Sequence, residues 1–285
     1  MLAGSVTAKP IFYTDLLARP RPRPTRILSY GATERQRGEL FLPYGNPPYP
    51  VVALIHGGCW LAKLPGAELM EYAAADLQCR GYAVWNIGYR RLGHDGGGYP
   101  GTFLDVADAI DLLPQMAPEN GLDLSRVLLV GHSAGGQLAM WAAARWHLPK
   151  GSPLYRPEAM PVRAVVSLAG ILDLEDYRAE GAAPCGGPKT IDRLVRSATR
   201  AHTDVYADTS PARLLPLGVP YTLISGALDE IVPPAFDARF AQKAHEHHEM
   251  AHTITFPDAG HFELVDPLST AWKGIVAQIG KLAGQ

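Results

Sequence analysis

An α/β fold, with a mostly parallel central sheet, helices on both faces and a small cap, is what this 285-residue sequence predicts. Three observations carry that reading. Short, continuously apolar, β-branched runs such as Val51-Val52-Ala53-Leu54-Ile55 mark strands covered on both faces. Stretches with apolar residues at helical spacing alternate with them, the pattern of parallel strands joined by helical crossovers. One apolar run, ending at Val130, enters the turn Gly131-His132-Ser133-Ala134-Gly135-Gly136 and leaves it at once as a helix.

Taken in order, the first 25 residues predict an extended lead-in. In Arg19-Pro20-Arg21-Pro22-Arg23-Pro24-Thr25 each proline fixes φ and pushes the residue before it out of the α region. Strands are expected near 26–30, 38–42, 51–55 and 82–87. A helix should start near Thr102, with Asp105 completing a capping-box pattern and Phe103, Val106, Ala107, Ile110 and Leu113 forming its apolar stripe. Strand 126–130 and helix 134–146 follow, then a strand near 162–169. Residues 172–216 read as irregular and cap-like. The chain closes with strand 220–225, helix 235–247, strand 252–256 and a last helix capped by Asp266 with Pro267 at its first position. The whole reads as a single domain.

Composition narrows the function classes. A formal charge of −2, with 47% hydrophobic and 19% charged residues, is ordinary for a globular protein and gives no basic field for nucleic acid or anionic membrane. No apolar run reaches the roughly 18–20 residues of a spanning helix. The start of the chain lacks a basic stretch followed by an apolar one, so no secretory signal is expected. Cys59, Cys79 and Cys185 are odd in number and widely spaced, with no CxxC. They predict no disulfide framework and a reducing, cytoplasmic setting.

In a parallel sheet, sites gather beyond the carboxyl ends of the strands. Four strand-following loops carry chemistry there. Gly131-His132-Ser133-Ala134-Gly135 stands between strand and helix, where small neighbours let a serine project from a sharp turn. Its hydroxyl is a weak nucleophile and needs a base. His56-Gly57-Gly58-Cys59-Trp60 follows strand 51–55, and the N–H groups of Gly58 and Cys59, with that of Ala134, would make an oxyanion hole. Cys59 as a nucleophile is the weaker reading, since it has no clear partner. Asp229 and His261 follow the last two strands. The imidazole would take the serine proton, and the carboxylate would hold its tautomer. Glu230 and Asp258 are the rivals of Asp229 for that acid role.

These motifs, together with Tyr89-Arg90-Arg91, Asp229-Glu230-Ile231-Val232-Pro233 and Gly260-His261-Phe262, resemble the α/β-hydrolase superfamily from about residue 38 onward. They sit nearest its hormone-sensitive-lipase-like carboxylesterases and its kynurenine formamidase (arylformamidase) group. The first group usually has a third glycine where this chain has Cys59, and the second has His-Gly-Gly-x-Trp. The resemblance implies an α/β-hydrolase fold. It also implies a serine hydrolase with no metal or organic cofactor, working through an acyl- or formyl-enzyme.

The expected substrate is a small-molecule carboxylic ester, with an aryl formamide as the alternative. A non-catalytic ligand-binding protein on the same scaffold and an acyl transferase are the lesser readings. Trp60, Tyr99 and Tyr177 are candidate aromatic walls of the substrate site. The cluster His245-Glu246-His247-His248 reads as a solvated face rather than a metal site. Neither nucleic acid nor membrane is expected as a partner, and a homodimer is left open.

Overall fold

A computed structural model describes residues 10–181, 183–200 and 202–284. The expectation of no secretory signal, drawn from residues 1–25, falls in part on 1–9, outside the described residues. The elements in chain order are α1 (Tyr13–Leu17), β1 (Arg26–Ser29), β2 (Arg37–Phe41), β3 (Tyr49–Ile55), α2 (Glu71–Cys79), β4 (Ala83–Ile87), α3 (Gly101–Asp111), α4 (Leu113–Asn120), β5 (Leu122–His132) and α5 (Ala134–Ala143). They continue with β6 (Ala164–Leu168), α6 (Leu174–Glu180), α7 (Pro188–Val195), β7 (Tyr221–Gly226), α8 (Pro234–Glu246), β8 (His252–Phe256) and α9 (Trp272–Ala283).

One eight-stranded sheet runs in the order β1-β2-β4-β3-β5-β6-β7-β8. From β4 to β8 every pairing is parallel, while β1 and β2 join antiparallel at one edge. Every residue of β4, β6 and β7 is buried, so both faces of the inner sheet are covered, as the unbroken apolar runs predict. The edge strands β1 and β8 are short and largely exposed, which limits their value as templates for a further strand. The order places the carboxyl ends of β3, β5, β7 and β8 along one rim of the sheet.

Several local expectations are corrected. The lead-in is not extended throughout, because residues 13–17 form α1. There the Asp15 carboxylate accepts the Phe12 N–H at 2.8 Å and Leu16 is fully buried. Arg19 then pairs with Asp266 through two bonds of 2.6 and 2.8 Å, fastening the segment to the far end of the chain. Helix α3 carries no capping box. The Thr102 hydroxyl accepts the Gly98 N–H and donates to the Arg90 carbonyl, and Asp105 is buried against the Arg90 guanidinium at 2.7 Å. Helix α9 begins at Trp272 rather than after Asp266, whose carboxylate is taken up by Arg19 and the Leu268 N–H. Helix α5 ends at Ala143, and a short 3₁₀ turn follows at Arg145–His147.

Residues 172–216 are more regular than expected. They hold α6 and α7, joined by an Arg178–Asp192 ion pair at 2.7 Å. Helix α7 buries Thr190, Ile191, Leu194 and Val195 and turns its charged face outward. The cysteine reading is also overturned: Cys59 and Cys185 form a disulfide across a sequence separation of 126, with Cα atoms 5.3 Å apart, and Cys79 alone is free. With two of the three cysteines cross-linked, the cysteines no longer point to a reducing compartment. Among the described residues no helix is long and apolar enough to cross a membrane.

Candidate active site

Strand β5 ends at His132, and Ser133 follows at φ 56 and ψ −120, outside the regions an L-residue ordinarily occupies. The small neighbours explain how that turn fits. A Cβ on Gly131 would collide with the Gly135 carbonyl, and one on Gly135 would strike the backbone carbonyls of Ile55 and His56 at the end of β3. Close packing of β3, β5 and α5 thus requires the glycines that flank the serine.

The loop after β3 is unusual for three successive residues at positive φ, Gly58 (96°), Cys59 (51°) and Trp60 (55°). Conformations of this kind persist when the surroundings over-determine them. On the side of the protein body the flanks of this stretch are held by the Tyr89-Arg90-Arg91 motif. The Tyr89 hydroxyl donates to the His56 carbonyl at 2.8 Å, and its ring stacks on the His56 ring with centroids 4.2 Å apart. Nη1 of Arg91 donates to the carbonyls of Leu61, Leu64 and Pro65 at 2.6–3.2 Å. Burial, with the Arg91 charge beside it, pushes the His56 imidazole down to about 3, so it is a neutral packing group. Among the described residues the N–H groups of Gly58, Cys59 and Ala134 have no acceptor.

His261 and Asp229 come together from separate loops. The Asp229 carboxylate oxygen Oδ2 lies 2.6 Å from His261 Nδ1, and both side chains are buried. Its other oxygen accepts the N–H groups of Ile231 and Val232 at 2.8 and 2.9 Å, which fixes the carboxylate plane. Both rivals, Glu230 and Asp258, are exposed. The His261 carbonyl accepts a bond from the His132 ring at Nε2, 3.0 Å away. Burial drives the His132 imidazole well below its ordinary value, with the His261 charge acting in the same direction. A neutral His132 therefore ties the histidine loop to the serine turn. Glu263 ties the same loop to the N-terminal segment by accepting the N–H of Gly260 at 3.0 Å and that of Ile11 at 2.6 Å.

Ser133 and His261 open into one cavity of about 220 Å³, with Gly58 and Cys59 on its wall. No hydrogen bond joins the serine hydroxyl to the imidazole among the described residues, a separation that apo sites commonly close on binding. The rest of the wall is almost wholly apolar, built by Phe12, Tyr13, Leu64, Leu69, Ile231 and Phe262 together with prolines. A wider cleft of about 710 Å³ adjoins it, sharing Phe12, Ile231, His261 and Phe262.

None of the three aromatic residues predicted to line the substrate site reaches this cavity. Trp60 is fully buried, with its indole N–H given to Gln137 at 3.1 Å. Tyr99 donates to Asp208 at 2.9 Å under the Arg200 guanidinium, and Tyr177 packs against Cys185 and donates to the Ile231 carbonyl at 3.2 Å. The aromatic wall comes instead from Phe12 and Tyr13, in the segment read as a plain lead-in, and from Phe262, next to the histidine.

Sheet order, serine turn and strand-following loops define an α/β-hydrolase. Within that class the chain belongs to the BD-FAE family, whose model matches residues 39–243. It is similar to the "Probable carboxylic ester hydrolase LipM" of Mycobacterium tuberculosis, 26% identical over 187 residues that cover 65% of this chain and 42% of that protein. It is also similar to the "Probable isoprenylcysteine alpha-carbonyl methylesterase ICMEL1" of Arabidopsis thaliana, 31% identical over 125 residues, 41% of this chain and 24% of that one. The chain thus spans less than half the length of these relatives. Esterase B from Lactobacillus rhamnosis HN001 shares the fold with a TM-score of 0.77 at 21% identity, over 96% of this chain and 91% of that one. A bifunctional GH43-CE protein of Bacteroides eggerthii does so with a TM-score of 0.72 at 24% identity, over 90% of this chain and 35% of that one.

Proposed function

We propose that this protein is a serine esterase cleaving a carboxylic ester with a short acyl group through Ser133, His261 and Asp229. The observation that carries the reading is the buried 2.6 Å contact between Asp229 and His261 beside a cavity that also receives Ser133. The names of the relatives and of the neighbouring structures, ester hydrolases and esterases, support the same reaction class.

In the proposed reaction the Ser133 hydroxyl attacks the ester carbonyl carbon while His261 takes its proton. The carbonyl oxygen becomes an anion facing the N–H groups of Gly58, Cys59 and Ala134. Collapse breaks the carbon–oxygen bond to the alcohol, which leaves with the proton carried by His261. Water then attacks the acyl-serine, losing its proton to His261; the bond to Ser133 Oγ breaks, the serine takes that proton back from His261, and the acid departs. Asp229 keeps the Nδ1 proton in place and balances the imidazolium charge.

The two cavities suit unequal halves of a substrate. The small apolar one receives the acyl group. The wider cleft, reached past His261, receives the alcohol that His261 must protonate. An aryl formamide would need the same groups, so N-formylkynurenine belongs beside a p-nitrophenyl ester series in the assay. Ser133→Ala is expected to lower ester turnover by about 10⁶-fold and to abolish labelling by a fluorophosphonate. Near-normal hydrolysis by that variant would remove the serine from the mechanism.

A further inference from the structure

The oxyanion loop is held on one side by Tyr89, Arg91 and Gln137, all in the body of the protein. On its other side the Cys59 side chain reaches the cap and is bonded there to Cys185. Cys185 sits in the turn between α6 and α7 and is fully buried. It is fixed in turn by Thr190, whose hydroxyl donates to the Cys185 carbonyl at 2.7 Å, and by the Tyr177 hydroxyl 3.4 Å from its sulfur. Pro184, beside it, lines the same cavity as Ser133 and Cys59. The cross-link therefore joins a wall residue of the loop after β3 to the cap segment that lines the same cavity.

We propose that Cys185 is a positioning residue for ester hydrolysis: through its disulfide it holds the Cys59 N–H in the oxyanion site, so that turnover depends on the oxidised cross-link. The inference rests on the serine-esterase reading above. A backbone at φ 51 with a side chain other than glycine relaxes toward negative φ when its tether is cut, and rotation of that residue swings its N–H away from the oxyanion. The loss falls on the transition state, where the charge develops, rather than on the neutral ester. Reduction by a dithiol proceeds by thiolate attack on one sulfur to give a mixed disulfide. The second thiol of the reagent then displaces it, leaving Cys59 and Cys185 as thiols and the reagent as a cyclic disulfide. Oxygen re-forms the bond by removing the two electrons and two protons.

The test uses the full chain produced in an oxidising periplasm, assayed on p-nitrophenyl acetate well below its melting temperature. Three samples are compared: oxidised protein, the same protein treated with dithiothreitol, and Cys185→Ser, with Cys79→Ser as a control for the exposed thiol. Reduced protein and Cys185→Ser are expected to lose at least roughly tenfold in kcat, with KM within about threefold, since removing one oxyanion donor costs about 10²–10³. Affinity for a trifluoromethyl ketone, whose adduct places an anion in the same site, should fall by the same factor as kcat/KM. Reoxidation should restore the reduced protein and not Cys185→Ser, and Cys79→Ser should match the oxidised protein throughout. Reduced protein shown by alkylation to lack the bond, yet turning over at full rate, overturns the proposal even if Cys185→Ser fails to fold. So does a rise in KM alone, or purified protein in which Cys59 and Cys185 are both free. Oxidised protein that neither hydrolyses esters nor takes a fluorophosphonate on Ser133 instead overturns the esterase reading, and this proposal with it.

Discussion

A carboxylate that accepts two backbone N–H groups on one oxygen and an imidazole on the other, as Asp229 does, can hold His261 in only one tautomer and one plane. Asn at this position keeps the shape and presents either a neutral acceptor or an N–H to Nδ1. Asp229→Asn is therefore expected to fold normally and to lose about 10⁴-fold in kcat, with little change in KM. Steady-state kinetics on a p-nitrophenyl ester check this, and a loss below tenfold would show that Asp229 is not the orienting acid. At this scale the sequence was informative wherever one residue type has few uses. A serine between glycines at a strand–helix junction, and a histidine and an aspartate in strand-following loops, were legible together with their order. Trp60, Tyr99 and Tyr177 were not, because an aromatic ring serves a wall and a core equally well and only its neighbours decide. The roles of Tyr89 and Arg91 were equally hidden. They act through the carbonyls of the 56–65 loop, and backbone acceptors leave no trace in a motif.

Among the elements, α1 shows how a five-residue helix escapes sequence analysis. It is too short for a periodic signal and is followed by a proline-rich run that argues for extension. Its position is set by remote contacts, Ile11 to Glu263 and Arg19 to Asp266, across more than two hundred residues. Phe12, at its N-cap, lines both the small cavity and the wide one while remaining 56% exposed. Phe12→Ala should cost little stability and admit longer acyl chains. The ratio of kcat/KM for hexanoate over acetate is expected to rise about tenfold, the scale on which an apolar pocket resolves methylenes. An unchanged ratio across the p-nitrophenyl series would place the acyl group elsewhere. Helix α8 carries a second device. Asp237 is buried near the Ser225 hydroxyl, and burial, opposed by that hydroxyl and aided by the Asp229 charge, lifts its carboxyl to about 7. In the unfolded chain the same group releases its proton near 4. Between these values the folded state holds more protons than the unfolded one, so this group makes stability fall as pH rises from about 4 to 7. Asp237→Asn removes the charge to be buried. It should leave the melting temperature almost unchanged at pH 4 and raise it by several degrees at pH 8. Equal melting shifts at the two pH values would mean that folding does not raise the Asp237 carboxyl above its unfolded value.

For the molecule as a whole, the inner sheet was legible because strands buried on both faces cannot hide their apolar runs, and β3 through β7 follow the expected alternation with helices. The cross-link was not legible, because a cysteine count carries no information about distance. Only the fold brings the loop after β3 against the turn between α6 and α7, and only then do Cys59 and Cys185 become neighbours. The bond encloses β4, β5, β6 and the helices between them, so in the unfolded chain it closes a loop with a sequence separation of 126. In the chain-entropy model such a loop stabilises the folded state by about 5 kcal/mol, at the upper end of the 2–5 kcal/mol typical of native disulfides. Domains of this size shift by about 2–4 °C per kcal/mol. Reduction should therefore lower the melting temperature by roughly 10–20 °C, and Cys185→Ser should reproduce that shift without any reductant. Calorimetry of oxidised and reduced protein measures it, with Cys79→Ser expected to behave as the oxidised form in each condition. A melting temperature indifferent to reduction would mean that the residues between Cys59 and Cys185 are no more constrained by the bond than by the sheet itself. The bond's contribution would then be confined to the geometry around Ser133.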